Sequence, residues 1–556
     1  MENQRPWTRH YDYNVPLSIR YPRWTTLDLI QLSANKNPDL TATHFLGAEM
    51  TFWELRIRIL KMANALTELG VKKGDRVGVH LPTSPQHIIS FFSVTSLGAI
   101  VVNLNPMYTV EELKSLARDT GMTSLITSES TLENVRKLCR EVDLARVIVT
   151  CVTDFASGME VSSAKSLDLE KGWHHFSTLM DQCTNTKLPR VELSFNDPAV
   201  IQFTGGTTGI PKGAVLNHSN IVAATFQCAL WGNATIRDIP IPRRSVLGVL
   251  PFFHVYGMIV VMCSSIFNCA TQILVPKFDL EEMMEFLRNF KEISFFPSVP
   301  TMINAIISHP KAEALELGKK FGVLNSGAAP IAREVIEKIK DAGIFFSEGW
   351  GMSETTALGI SNPQLGLKKA GSIGVPFPDT DIRLVDVEDG IHEVKKGDPG
   401  EILIRSPLLM KGYWNRPEET ALELKDGWLH TGDVAVQDED DYFFIVDRKK
   451  DLIIAGGYNI YPREVDEVLY QHPKIADAVT VGIPDAYRGE TIKSYIVLKP
   501  GESLDAEDIV KFSREKLAAY KVPRVIEFRE TLPKSAVGKI LRKELRREEE
   551  QKLKNQ

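Results

Sequence analysis

The sequence predicts an α/β protein of at least two folding units, and three observations carry that prediction. A chain of 556 residues exceeds what one core of ordinary size organises. Short apolar, β-rich runs alternate with amphipathic ones, as in Arg76–Leu81, Ser84–Leu97 and Ala99–Leu104, the pattern of helices layered on a sheet. From about Gly371 the character changes to short strands with turn residues. A charged knot, Asp447-Arg448-Lys449-Lys450-Asp451, then precedes a last stretch of mixed α/β pattern.

Further along the first unit, Ala199–Phe203 and Ala214–Leu216 read as strands, and Ile273–Val275 as another. Asp279–Phe290 reads as a helix because Leu280, Met283, Met284 and Leu287 fall on one face behind Asp279 as N-cap. Between Ser245 and Pro276 there is no Asp, Glu, Lys or Arg, which raises the question of a membrane span. Pro251, His254, Gly257, Ser264, Ser265, Asn268, Thr271 and Gln272 interrupt that stretch, and such groups would be unsatisfied in lipid. The expectation is a buried strand, helix and strand lining an apolar cavity, with no transmembrane span and with peripheral membrane contact left open. Ile382–Val385, Gly400–Ile404 and Tyr442–Val446 are the expected strands of the β-rich part. The charged knot by itself reads as a solvated turn, and Arg546–Gln556 as a frayed end.

The formal net charge of -6 and pI near 6.1 come from mixed charges along the chain, which argues against a nucleic-acid partner. The six cysteines (Cys139, Cys151, Cys183, Cys228, Cys263, Cys269) form no CxxC pair, so neither a disulfide framework nor a zinc site is expected. Met1–Asn14 lacks the apolar core of a secretory signal, and a cytoplasmic location is expected.

The chemistry announces itself at Thr204-Gly205-Gly206-Thr207-Thr208-Gly209-Ile210-Pro211-Lys212-Gly213, between two predicted strands. Glycines let backbone N–H groups approach an anion, and three hydroxyls and Lys212 add donors, so the loop suits phosphate. It is not the loop of nucleoside triphosphatases, which needs Gly-Lys-Ser/Thr opening a helix. The segment resembles the signature loop of the adenylate-forming superfamily, which includes acyl-CoA synthetases, nonribosomal-peptide adenylation domains and beetle luciferases. The resemblance runs from about residue 25 to about residue 545.

The resemblance implies a large N-terminal domain of α/β layers with a β-rich subdomain, residues 1–449, and a small mobile α/β C-terminal domain, residues 450–556, turning about Lys450. It implies ATP, Mg²⁺ and coenzyme A as co-reactants of a small carboxylic acid. Ser347-Glu348-Gly349-Trp350-Gly351-Met352-Ser353-Glu354-Thr355-Thr356 resembles the second adenylation motif, in which Glu354, with Thr204, holds Mg²⁺ on the phosphates. Trp350 stands where the family has Tyr or Phe against adenine, and Gly327-Ala328-Ala329-Pro330 matches the adenine-contacting turn. Asp433, in Trp428-Leu429-His430-Thr431-Gly432-Asp433, matches the carboxylate on the ribose hydroxyls, and Arg448 the arginine that follows it onto ribose and phosphate. Lys539, in Pro533-Lys534-Ser535-Ala536-Val537-Gly538-Lys539, resembles the lysine that bridges substrate carboxylate and α-phosphate. Once the adenylate forms, reorientation would withdraw Lys539 and bring Gly456 and Gly457 beside the pantetheine arm. Tyr458 and Asn459 are lesser candidates there.

For the acid, His254, in Leu250-Pro251-Phe252-Phe253-His254-Val255-Tyr256-Gly257, matches a histidine at the junction of acyl and nucleotide pockets. Tyr256 and Met258 are further acyl-binding candidates, Met258 standing where some long-chain enzymes have a gating tryptophan. No aspartate for an α-amine is evident, so an amino acid is not expected. Pro297–Met302 and Gly412–Thr420 look closest to bacterial long-chain fatty acid ligases. The reading is therefore an AMP-forming acyl-CoA synthetase for a medium- or long-chain fatty acid. A ligase for an aromatic or alicyclic acid, or an acyl-AMP ligase using a carrier protein, is the alternative, and homodimers are common in the family.

Overall fold

The alternating runs fold as helix on sheet. Ser84 accepts from the His87 N–H and Pro85 occupies the first turn, which together start the helix Pro85–Ser96. Every residue of that helix is buried, because helices Thr26–Lys36 and Phe52–Glu68 cover the side turned from the sheet. The computed structural model describes residues 5–157, 167–204, 211–236, 238–329, 331–455, 458–485, 488–535 and 538–554. Among them, strands gather into four sheets.

In an eight-stranded sheet, Arg76–His80 lies between Ile100–Asn103 and Ser124–Ser128, all parallel. Pro198–Phe203 extends it beside Ile100–Asn103 and pairs antiparallel with Gly213–Asn217. Residues 204–212 thus join neighbouring strands, and Thr204 N–H donates to the Lys212 carbonyl at 2.9 Å. In a nine-stranded sheet, Thr271–Leu274, Ser245–Gly248, Ile293–Ser298, Phe321–Ser326 and Phe346–Trp350 run parallel. Their carboxyl ends share one edge, where open α/β sheets bind ligands.

The charge-free stretch is strand Ser245–Gly248, helix Gly257–Phe267 and strand Thr271–Leu274, as expected. The first part of the helix, Gly257–Cys263, is π-helical. A Cβ on Gly257 would stand 2.2 Å from the Pro251 carbonyl oxygen, so only glycine lets the turn and helix close together. No helix among the described residues is long and apolar enough to cross a membrane. Asp279 caps Leu280–Asn289 by accepting from the Glu282 N–H, and Met283, Met284 and Leu287 are buried. The β-rich part is an antiparallel sheet around Trp428–Gln437, with Gly400–Arg405 and Phe443–Arg448 on its flanks.

The last stretch has apolar clusters of its own, one around Ile453, Val465, Leu469, Ile496 and Ile509, another of Val479, Val481, Tyr495, Leu532 and Leu545. Two expectations are corrected here. The charged knot is not a solvated turn: Asp447 and Asp451 are buried. Asp447 accepts from the Arg463 N–H at 2.7 Å, and Arg546 reaches Asp451 at 3.0 Å. Arg542 lies between Asp466, at 2.5 Å, and the Thr480 carbonyl, at 3.2 Å. Nor is the chain frayed as far as Lys554, since Arg542–Lys554 is helical, with Leu545 buried and Glu549 2.9 Å from Lys493. Leu545→Ala is expected to destabilise the C-terminal unit by about 2–5 kcal/mol, read as a lower unfolding midpoint for that unit.

Candidate functional site

A cavity of about 1760 Å³ opens at the shared strand edge, walled by the nine-stranded sheet, the β-rich sheet and the C-terminal unit. Thr204, Lys212, Gly327, Ala328, Ala329, Glu348, Gly349, Trp350, Ser353, Glu354, Asp433, Arg448, Lys450 and Lys539 all line it, with His254 and Tyr256. Positions scattered over some 330 residues thus meet in one space. Gly205, Gly206, Thr207 and Thr208 of the loop, Pro330, Gly456 and Gly457 lie outside the described residues, as do the side chains of Tyr458 and Asn459.

Asp433, in the long strand of the β-rich sheet, is buried with both oxygens engaged. Trp350 donates its indole N–H to Oδ2 at 2.8 Å, and Arg448 Nε lies 3.0 Å from Oδ1. The pairing of Asp433 with Arg448 across neighbouring strands sets that ion pair, and Asp433 raises the Arg448 pKa. Trp350 therefore meets Asp433 by its edge, with its ring packed on Gly359, where a Cβ would stand 2.7 Å away.

Lys539 comes from the C-terminal unit on a tight turn in which Ser535 N–H donates to the Lys539 carbonyl at 2.8 Å. Gly538, at φ +72°, seats this turn against Thr301 of helix Pro300–Ile307, and an added Cβ would meet the Thr301 hydroxyl at 2.3 Å. Burial, then Arg448, pull the Lys539 pKa down to about 8 against the opposing pull of Asp433 and Asp451. Burial, then Lys539, pull His254 down to about 4, so its ring is neutral at ordinary pH. His254 Nδ1 accepts from the Tyr256 N–H at 3.2 Å, which leaves the ring proton on Nε2. The Tyr256 hydroxyl donates to Asn325 at 2.6 Å, and its ring packs on Gly327, where a Cβ would stand 3.1 Å away.

Glu354 is buried, and burial raises its pKa. The Tyr413 hydroxyl lies 2.8 Å from one of its oxygens and also contacts Glu423, whose other oxygen is 2.7 Å from Lys212 Nζ. One hydroxyl proton serves only one carboxylate at a time, so this pair is short of positive charge. Sequence reasoning named Lys212 and Glu354 but missed Tyr413, Glu423, Asn325 and Thr301 as parts of the site. The short pairing of Gly412–Tyr413 with Ala214–Val215 brings Tyr413 beside the loop. Tyr413 lies within a segment already matched to long-chain ligases, the one signal available.

One expected acyl-binding residue is corrected. Met258 is fully buried and absent from the cavity wall; its sulfur accepts from the Asn103 amide at 3.5 Å. The π-helical turn aims it back at strand Ile100–Asn103.

Residues 30–414 match the AMP-binding enzyme family, and residues 464–539 match the AMP-binding enzyme C-terminal domain. The chain belongs to this family. The AMP-binding enzyme fold accounts for the large N-terminal α/β domain and the small C-terminal α/β one. The chain is similar to a long-chain-fatty-acid–CoA ligase of Bacillus subtilis (strain 168), at 41% identity over 99% of each chain. It is also similar to a feruloyl-CoA synthase of Amycolatopsis sp, at 34% identity over 92% of this chain and 97% of the other. Among solved structures it is similar to an anthranilate CoA ligase in complex with anthranoyl-AMP, with a TM-score of 0.84 and 26% identity, covering 97% of this chain and 99% of that one.

Tyr413→Phe leaves the buried Glu354 without its donor and is expected to cost about 1–3 kcal/mol of stability at neutral pH. Because the folded-state pKa of Glu354 is raised, its charge opposes folding as pH rises through that value. Denaturation of the variant at acidic and neutral pH is expected to show the larger loss at neutral pH.

Proposed function

We propose that this AMP-binding enzyme is an AMP-forming acid–thiol ligase that activates long-chain fatty acids with ATP and transfers the acyl group to coenzyme A. The observation that carries the reading is Lys539, half-buried, on the wall of one cavity with Asp433, Arg448 and His254, in a chain alike over its whole length to a long-chain-fatty-acid–CoA ligase. In the first half-reaction a carboxylate oxygen attacks the α-phosphorus and pyrophosphate leaves. Two unit charges of like sign about 4 Å apart repel by about 4 kcal/mol at an effective dielectric near 20, so cations must intervene. Lys539 and Arg448, both half-buried on the cavity wall, supply them, aimed where the charge develops.

Asp433, held at both ends, receives the ribose hydroxyls, while Trp350 and the Gly327 turn take the base. Neutral His254 offers its Nε2 proton at the junction between nucleotide and acid. Glu354 and the Thr204 hydroxyl suit Mg²⁺, since a buried carboxylate without a cation and a hydroxyl are hard oxygen ligands. That ion would supply charge neutralisation on the phosphates when bound. Lys212, now on Glu423, is within the same wall to meet phosphate oxygens. The domain division at residues 449 and 450 extends the reading: turning about Lys450 would release Gly538 from Thr301 and expose the adenylate to the thiol.

An aromatic acid is the second reading, favoured by the feruloyl-CoA synthase likeness. A panel of fatty, aromatic and alicyclic acids with ATP and CoA tests both, with AMP and acyl-CoA as readouts. ADP in place of AMP would defeat the reading, and adenylate without thioester would point to a carrier protein.

Lys539→Ala is expected to abolish adenylate formation yet leave thioester formation from supplied adenylate largely intact; equal loss of both halves would count against its role. Because Lys539 titrates near 8 and acts as the ammonium, adenylation is expected to fall as pH rises through about 8. Lys539→Arg should carry that limb to higher pH. Trp350→Phe keeps a ring face but loses the N–H on Asp433, so the KM for ATP is expected to rise about tenfold, or about 1.4 kcal/mol.

A further inference from the structure

The acyl arm of the cavity does not end in hydrocarbon. Two elements lead away from His254 and Tyr256. Along helix His218–Ile236, Cys228, Trp231, Gly232 and Thr235 form a stripe on the cavity wall at helical spacing. Beside it, the extended chain from Leu250 runs back through Val246 to Arg244, a span of roughly 20 Å at strand rise. That is the reach of a long acyl chain.

Both elements end at the same place. Arg244 Nε donates to the Ile239 carbonyl, just beyond the helix, at 3.1 Å. The Arg244 carbonyl accepts from Thr271 N–H at 2.9 Å, and Ala270 N–H donates to the Ser265 carbonyl at 2.9 Å. Arg244, Ser265 and Asn268 all line the cavity there. Ser265 is 1% exposed, and its hydroxyl has no hydrogen-bond partner among the described residues. Arg244 is half-buried and pairs with no carboxylate among the described residues. A plain hydrocarbon end would leave a guanidinium and a buried hydroxyl facing methyl groups, whereas an oxygen function would satisfy both.

We propose that this arm takes long-chain carboxylic acids bearing an oxygen function at the far end, a second carboxylate or a terminal hydroxyl, received by Arg244, Ser265 and Asn268. The inference rests on the acyl-CoA synthetase reading and names the substrate class of its acyl arm. The apolar walls, among them Trp231, Val246 and Phe295, hold the methylene stem, each buried methylene adding to affinity. The planar fork of Arg244 matches a carboxylate in two parallel hydrogen bonds. A site built on such donors discriminates against the analogue that lacks the partner group.

The test compares hexadecanoic, ω-hydroxyhexadecanoic and hexadecanedioic acids with ATP and CoA, measuring kcat/KM from AMP release. The oxygenated acids are expected to exceed hexadecanoic acid by about tenfold or more. The ratio of diacid to plain acid is expected to fall about tenfold in Arg244→Met, and the ratio of hydroxy acid to plain acid to fall in Ser265→Ala, a smaller change that keeps the fold should the arginine variant not fold. Parity or a preference for hexadecanoic acid in the unaltered enzyme, or ratios unmoved in both variants, would overturn the proposal while leaving the ligase reading intact. No AMP from any of the three acids would instead overturn the reading beneath it.

Discussion

Asp433 is the buried charge on which three parts of the chain converge. Trp350 reaches it from the nine-stranded sheet, Arg448 from the neighbouring strand of the β-rich sheet, and Lys539 from the C-terminal unit feels its field. A carboxylate taken out of water must be paired and hydrogen-bonded. Satisfying Asp433 therefore fixes the edge-on attitude of Trp350 and keeps Arg448 at the cavity wall. The same paired charge opposes the loss of the Lys539 proton in a place where burial favours that loss. The arrangement holds two half-buried cations on the wall of one cavity.

A second network manages the opposite sign. Glu354, Tyr413, Glu423 and Lys212 form a chain with two carboxylates and one ammonium. Its balance of charge is short by one. The C-terminal unit meets the rest of the molecule here through polar groups: Asp447 accepts from the Arg463 N–H and faces Arg542 at 3.9 Å, and the Arg463 guanidinium donates to the Ile445 carbonyl. Charged contacts lose less than a dry apolar interface when they open to water, so a unit with its own apolar clusters and such a seam is suited to turn.

Much of this was legible beforehand where the signal is local. Asp279 announced its helix, and the breakers in Ser245–Pro276 argued correctly for strand, helix and strand. The reading of Asp447–Asp451 as solvated failed because the arginines that bury it lie up to about 100 residues further on, and the terminal helix was missed because Leu545 has its partners in distant strands. Met258 was assigned to the acyl wall by its distance from His254 in sequence, but the π-helical turn rotates it onto Asn103.

By itself the sequence determined the chemical inventory: a donor-rich loop for phosphate, an acidic residue and hydroxyls for a hard cation, a lysine near the end of the chain, and an apolar stretch too polar for lipid. It also marked those helices and strands whose signal is local, since periodicity, caps and breakers act within a few residues. The tertiary structure alone decided which of these groups meet. Tyr413 joins Glu354 across 59 residues because a two-residue pairing with Ala214–Val215 sets it there, Gly538 carries Lys539 in by resting on Thr301, and Arg244 and Ser265 share one part of the cavity wall through Thr271 and Ala270. Burial and charge at a site are sums over neighbours from every element around it, and no window of sequence contains those neighbours.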